Sequence, residues 1–344
     1  MKIFIHLFLV LAFSLISCSM DDNPIESQVN PIYFSESPID LKGVDAKFAK
    51  DIAYDSKERT QFDIWLPNSD TPTGLVIYTH GGGFVSGDKD IVYTSSNGGD
   101  WDFPKNIRTL LENKIAFATI RYTYIEKIGE TEGILKPMSD VKRALQYIKS
   151  RASDFNIEKS KIVLTGSSAG AGTSLWIAFN DDMSDPSSTD SVLQESTRVK
   201  GVAVRQTQAS YNAEQWVNNI FSNYHLTLIE LLTFAPDLLN IYGISSTNKY
   251  NTPEIVTYRK KVDMLALLTA DDPEIWAENV LSGVLPPTTD RNVMNHHAFH
   301  VRALKDKADA VGVKNVCYYG KDPILYSDPS GEKWVEFLIR KVEE

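Results

Sequence analysis

The chain has 344 residues, of which 42% are hydrophobic and 23% charged, enough apolar material for a substantial core. Its net charge is −10 and it has no Lys/Arg run. That balance excludes a nucleic-acid binder, whose partner's phosphates demand a basic face.

The first segment reads as a targeting signal, residues 1–17. Lys2 supplies a positive charge, residues 3–16 form an almost continuous apolar run, and small residues precede Cys18. Such a run is too short for a comfortable transmembrane helix and suits a secretory leader. Leu15-Ile16-Ser17-Cys18 resembles the bacterial lipobox, in which the cysteine becomes the lipidated first residue. Acidic residues Asp21 and Asp22 follow, a pattern similar to the surface-export tag of lipoproteins. The expected location is therefore the bacterial cell envelope, with a lipid anchor at Cys18 holding the chain to the outer membrane. With Cys18 so used, only Cys317 remains, so no intramolecular disulfide is expected. Cys317 lies in an apolar run and reads as a buried strand residue.

Residues 18–45 are rich in Asp, Asn, Ser and Pro and read as a tether. One domain is expected from residue 46 to 344. Residues 62–67 alternate and predict an antiparallel strand, whereas 75–79 and 115–120 are short apolar runs suited to a parallel sheet covered on both faces. Helical spacing appears at 106–113 and 140–151, and 161–165 predicts another strand. Further strands are expected at 199–204, around Trp276 and at 315–319, with helices at 303–310 and 332–340. Residues 211–264 break this rhythm with helical apolar stretches containing Trp216, Phe221, Tyr224 and Phe234, and read as a helical cap. Strand–helix alternation of this kind predicts an α/β fold with a mostly parallel sheet flanked by helices.

Two glycine-rich motifs carry the chemistry. His80-Gly81-Gly82-Gly83-Phe84 follows the strand ending at Thr79. Its glycines let the backbone approach a substrate, and the N–H groups of Gly82 and Gly83 can face a carbonyl oxygen. His80 reads as a residue that orients this loop. Gly166-Ser167-Ser168-Ala169-Gly170 matches G-x-S-x-G, follows a predicted strand and opens a predicted helix. So tight a turn needs small residues around the serine, presents the Ser168 hydroxyl above the sheet, and adds the N–H of Ala169 to the oxyanion hole.

Residues 80–89 together with the Ser168 turn resemble the carboxylesterase and hormone-sensitive-lipase-like branch of the α/β-hydrolases, closest to bacterial feruloyl- and acetyl-esterase-like lipoproteins. Arg121-Tyr122 and residues 140–144 and 161–164 add to the resemblance, which covers residues 50–205 best. It implies an α/β-hydrolase fold, ester hydrolysis through an acyl-serine intermediate, and no cofactor. The expected substrates are carbohydrate-linked, acetyl or small aromatic esters outside the cell.

The resemblance also implies a histidine after the final strand, and none follows His300. The chain has six histidines; His6 lies in the leader, His80 in the glycine loop and His225 in the cap. That leaves His296, His297 and His300 in the stretch where the resemblance places the acid. His296 or His297 is the candidate base, with Asp290 as orienting acid and Asp271 and Asp272 as alternatives. The cluster also admits a metal site or a purely structural role as helix caps. The competing function is a hydrolase-fold binding protein whose base has been lost.

Overall fold

A computed structural model describes residues 31–95 and 102–344. The leader, Cys18 and the start of the tether lie outside the described residues. Among the described residues, ten strands form one sheet: β1 Phe34–Ser35, β2 Ala46–Ala53, β3 Gln61–Pro67, β4 Thr73–Thr79, β5 Ile115–Ile120, β6 Ile157–Ser167, β7 Gly201–Arg205, β8 Glu274–Asn279, β9 Asn315–Tyr319 and β10 Tyr326–Ser327. Their spatial order is β1-β2-β3-β5-β4-β6-β7-β8-β9-β10. The run from β5 to β9 is parallel, and antiparallel strands flank it on both sides.

The helices are α1 Phe103–Glu112, α2 Leu135–Ser150, α3 Ala152–Phe155, α4 Ala169–Phe179, α5 Ala213–Gln215, α6 Leu228–Phe234, α7 Pro253–Lys261, α8 Met264–Leu267, α9 Arg291–His296, α10 Ala298–Val311 and α11 Trp334–Glu343. Strand alternation sorts the core into two layers. Val76 and Tyr78 of β4 join Ile107 and Leu110 of α1 and Phe337 and Leu338 of α11. Leu75 and Ile77 of the same strand face the other way, towards Val141 of α2, Leu175 of α4 and Leu304 of α10. A two-residue period in a strand buried on both faces requires this division. The α/β class and helix-flanked parallel sheet expected from the pattern are therefore the architecture observed.

Two details depart from the sequence reading. Part of the stretch assigned to the tether is folded: Phe34 and Ser35 pair with Ala49 and Phe48, and Ser37 accepts a 3.0 Å hydrogen bond from Trp65 Nε1. The polar composition of residues 31–45 hides one strongly buried anchor, Ile39. Strand β6 also begins earlier than expected, because Ile157 pairs with Thr73 before a register shift.

Between β7 and β8 the chain passes through short helical pieces, α5 to α8, interspersed with a π-helix at Trp216–Ile220 and 3₁₀ turns. The segment is anchored by buried polar contacts; Asp263, for example, accepts from Ser210, Asn212 and Gln215.

Trp65 packs against Phe48, Tyr93 and Phe117 and is fully buried. Truncating a buried aromatic removes its transfer energy and leaves a cavity, so Trp65→Ala should cost about 3–5 kcal/mol. Urea denaturation followed by far-UV circular dichroism measures this.

Candidate active site

The parallel register brings the ends of the central strands into one row. Thr79 pairs with both Ile120 and Gly166, Ser167 with Arg205, and Arg205 with Glu278. Ser168 stands immediately beyond that row, at φ 53° and ψ −120°. This conformation is sparsely populated for a residue with a Cβ, and the surrounding backbone holds it there. Ser168 N donates to Arg205 O at 3.1 Å, and Gly172 N donates to Ser168 O at 3.0 Å. A Cβ on residue 170 would lie 2.0 Å from Thr79 O, so only glycine lets α4 start this close to β4.

The glycine loop lies against the turn. Gly82, Gly83 and Phe84 all have positive φ, and a Cβ on Gly82 would meet Ser86 O at 2.0 Å. Among the described residues, none accepts a hydrogen bond from the N–H of Gly82, Gly83 or Ala169. Ala169 opens α4, so its N–H has no partner within the helix. Tyr122 secures the loop from below, donating to His80 O at 3.1 Å and Gly81 O at 3.2 Å. His80 stacks on the Tyr122 ring at 4.3 Å, and its Nδ1 lies 2.7 Å from Gly81 O. Burial pushes the His80 imidazole down to about 4, so it stays neutral and serves the loop. Arg121 and Arg59 both reach Asp88 at the loop's far end.

His296 is the imidazole that reaches the serine. Its Nε2 lies 2.9 Å from Ser168 Oγ, and its Nδ1 lies 2.8 Å from Asn292 Oδ1. With the carbonyl of Asn292 as acceptor, Nδ1 carries the proton and Nε2 offers a lone pair to the Ser168 hydroxyl. Burial lowers the imidazole to about 4.

The other two histidines of the cluster have different work. His297 caps α10: its Nδ1 accepts from Phe299 N at 3.1 Å, and its Nε2 lies 3.0 Å from Leu285 O. His300 is fully buried, with Nδ1 accepting from Ala209 N at 3.2 Å and Nε2 3.0 Å from Met294 O. Burial drives it down to about 3. His297 is thus corrected from candidate base to helix cap, because both its nitrogens are spent on the backbone. The imidazoles turn to separate partners, and among the described residues no group of three or more His, Cys, Asp or Glu is placed to hold a metal ion.

The candidate acids need correcting too. Asp290 caps α9 by accepting from Val293 N at 2.8 Å, and His296 at the end of the same helix finds Asn292 instead. Asp271 and Asp272 pair with Arg198 at 2.7 and 3.2 Å. They precede β8, whereas Ser168 follows the end of β6, which runs parallel to β8 with β7 between them, so they lie at the opposite end of the sheet.

Sequence reasoning missed Asn292 and the clamp around it. Gln208 Nε2 donates to Asn295 O at 2.7 Å and Asn279 Nδ2 to His297 O at 3.0 Å. With His300 on Met294 O, three buried side chains hold the carbonyls that surround His296. An i,i+4 pair of Asn and His on a helix was the one available signal. Cys317 is buried in β9, where desolvation raises its thiol.

A cleft of about 420 Å³ opens on Ser168, bounded by Phe84 and Val85 of the glycine loop, Tyr211, Trp216, Ile241 and Met294. Lys127, Asp237, Asn240 and Asn295 give it polar edges. Of the cap aromatics expected to shape a pocket, Trp216 lines it; Phe221 instead packs on His297 and His300.

A parallel sheet, a serine on the strand–helix turn and a glycine loop beside it make up an α/β-hydrolase fold. It matches the BD-FAE family model over residues 62–231. No curated protein sequence matches it. Among solved structures, it is similar to a truncated carbohydrate esterase from gut microbiota, with 18% identity, a TM-score of 0.59 and coverage of 88% of this chain and 98% of that one. It also resembles an inhibited esterase B from Lactobacillus rhamnosis (13% identity, TM-score 0.54, 87% of each chain). An acetyl ester-xyloside bifunctional hydrolase from Caldicellulosiruptor lactoaceticus is similar at 14% identity and TM-score 0.53, covering 94% of this chain and 92% of that one. The solved structures it resembles are esterases, in line with the resemblance carried by the two glycine-rich motifs.

The division of labour among the histidines is measurable as stability. His297→Ala removes a helix cap and should lower the unfolding free energy by about 1–2 kcal/mol. His296→Ala removes no cap and should change it by less; chemical denaturation of the two variants compares them.

Proposed function

We propose that the protein is a serine carboxylic-ester hydrolase. The observation that supports this most directly is the 2.9 Å contact between Ser168 Oγ and His296 Nε2 beside three unpartnered N–H groups. In the proposed reaction His296 Nε2 takes the Ser168 proton as Oγ bonds to the ester carbon. The negative charge that develops on the carbonyl oxygen is met by the N–H groups of Gly82, Gly83 and Ala169. The carbon–alkoxy bond then breaks, His296 returns the proton to the departing alcohol, and an acyl-serine remains. Water attacks that ester and gives a proton to His296; the bond from the acyl carbon to Oγ then breaks, His296 returns the proton to Ser168 Oγ, and the acid leaves.

The substrates we propose are acetyl or small aromatic esters, carried on carbohydrate. The polar edges of the cleft suit a hydroxylated alcohol portion, and its apolar walls suit a short acyl or a ring. The carbohydrate esterase and acetyl ester-xyloside hydrolase among the structural neighbours point the same way. We also propose that the protein works outside the cytoplasm, anchored through lipidated Cys18. Palmitate labelling in a bacterial host tests this: Cys18→Ala should lose both the label and membrane association.

Turnover of p-nitrophenyl acetate tests the chemistry. Ser168→Ala and His296→Ala should each lower kcat by about 10³-fold or more, since removing the nucleophile or its base leaves only binding and oxyanion stabilisation. Rates equal to wild type would refute the reading. His296 acts as base only when neutral, and burial has moved its imidazole down to about 4. The acid limb of kcat/KM should therefore fall well below the ordinary histidine value of about 6.5.

A further inference from the structure

We infer that Asn292 is the positioning residue of the His296 base, so that the relay Ser168–His296–Asn292 ends in a neutral amide. This rests on the reading of Ser168 as an esterase nucleophile. Asn292 and His296 are one turn apart on the same six-residue helix, α9, where i,i+4 side chains are neighbours. The 2.8 Å contact from Nδ1 to Asn292 Oδ1 holds the ring and selects the tautomer whose Nε2 faces Ser168.

Among the described residues, no carboxylate bonds to that nitrogen. Asp290, two residues earlier, is occupied with Val293 N. Arg291 is ion-paired with Asp237 across the edge of the cleft. Lys127 and Tyr211 line the cleft from other segments, while His297 and His300 lie behind with both nitrogens engaged. None of these groups bonds to His296 among the described residues. The clamp on the carbonyls of Met294, Asn295 and His297 fixes the helix, and Asn292 fixes the ring upon it.

A neutral partner has a chemical consequence. An amide oxygen can orient the imidazole and accept its Nδ1 proton in a hydrogen bond, yet it brings no full charge to stabilise the imidazolium that forms as Ser168 attacks. A carboxylate at the same place would do both. Asn292 is exposed, so replacing it leaves the core intact.

The test is the second-order rate at which a fluorophosphonate labels Ser168, followed against pH in wild type, Asn292→Ala and Asn292→Asp. Labelling forms the Oγ–P bond and expels fluoride, with the serine proton going to His296. Asn292→Ala should slow labelling by about 10- to 100-fold, with KM for p-nitrophenyl acetate changed by less than about twofold. Asn292→Asp should label at least as fast as wild type and move the acid limb upward by about one pH unit or more. Wild-type labelling rates in Asn292→Ala, or an unmoved acid limb in Asn292→Asp, would overturn the inference while leaving the nucleophile in place. A wild-type protein that fails to label at any pH would overturn the nucleophile reading and this inference with it.

Discussion

The carbonyl of Thr79 occupies the space that a side chain on residue 170 would need, and the site depends on that close approach. It seats the first turn of α4 against the end of β4, so the serine turn and the glycine loop share one floor. Parallel pairing then aligns the ends of β5, β4, β6, β7 and β8, which gives every loop beyond them access to the same cleft. The unusual backbone angles of Ser168 are tolerated because hydrogen bonds to Arg205 and Gly172 hold the turn from both sides.

The histidine comes to this floor by an uncommon route for the resemblance. It arrives on α9, in the segment between β8 and α10, while the chain after β9 turns directly into the short antiparallel β10. Its precision comes from buried polar contacts on the carbonyls around it. Gln208, Asn279 and His300 each meet one of them, and each is itself buried where an unmade hydrogen bond would be costly. The geometry of the Ser168–His296 pair and local stability are thus supported by the same bonds.

Electrostatically, the site keeps its imidazoles neutral. Burial lowers His80, His296 and His300, and among these His300 uses both its nitrogens and His80 its Nδ1 to organise backbone. A group whose folded value lies below its unfolded one contributes stability that is full above about pH 6.5 and declines as the pH falls towards the folded value.

The sequence by itself determined the α/β class, the serine turn and the glycine loop. Those features are local: small residues at fixed offsets and apolar runs of strand length leave few alternatives for the backbone. It also confined the candidate base to residues 296–300 by exhausting the other histidines. Tertiary structure alone decided among them. His296 and His297 are adjacent and chemically identical, yet one terminates α9 facing Ser168 while the other caps α10. The same holds for the orienting group: Asp290 had the charge expected of it, but the N-terminus of α9 took that carboxylate, and the next helical turn offered Asn292. Which of several suitable side chains meets a residue 128 positions away depends on helix phase and long-range packing, and neither is written in local spacing.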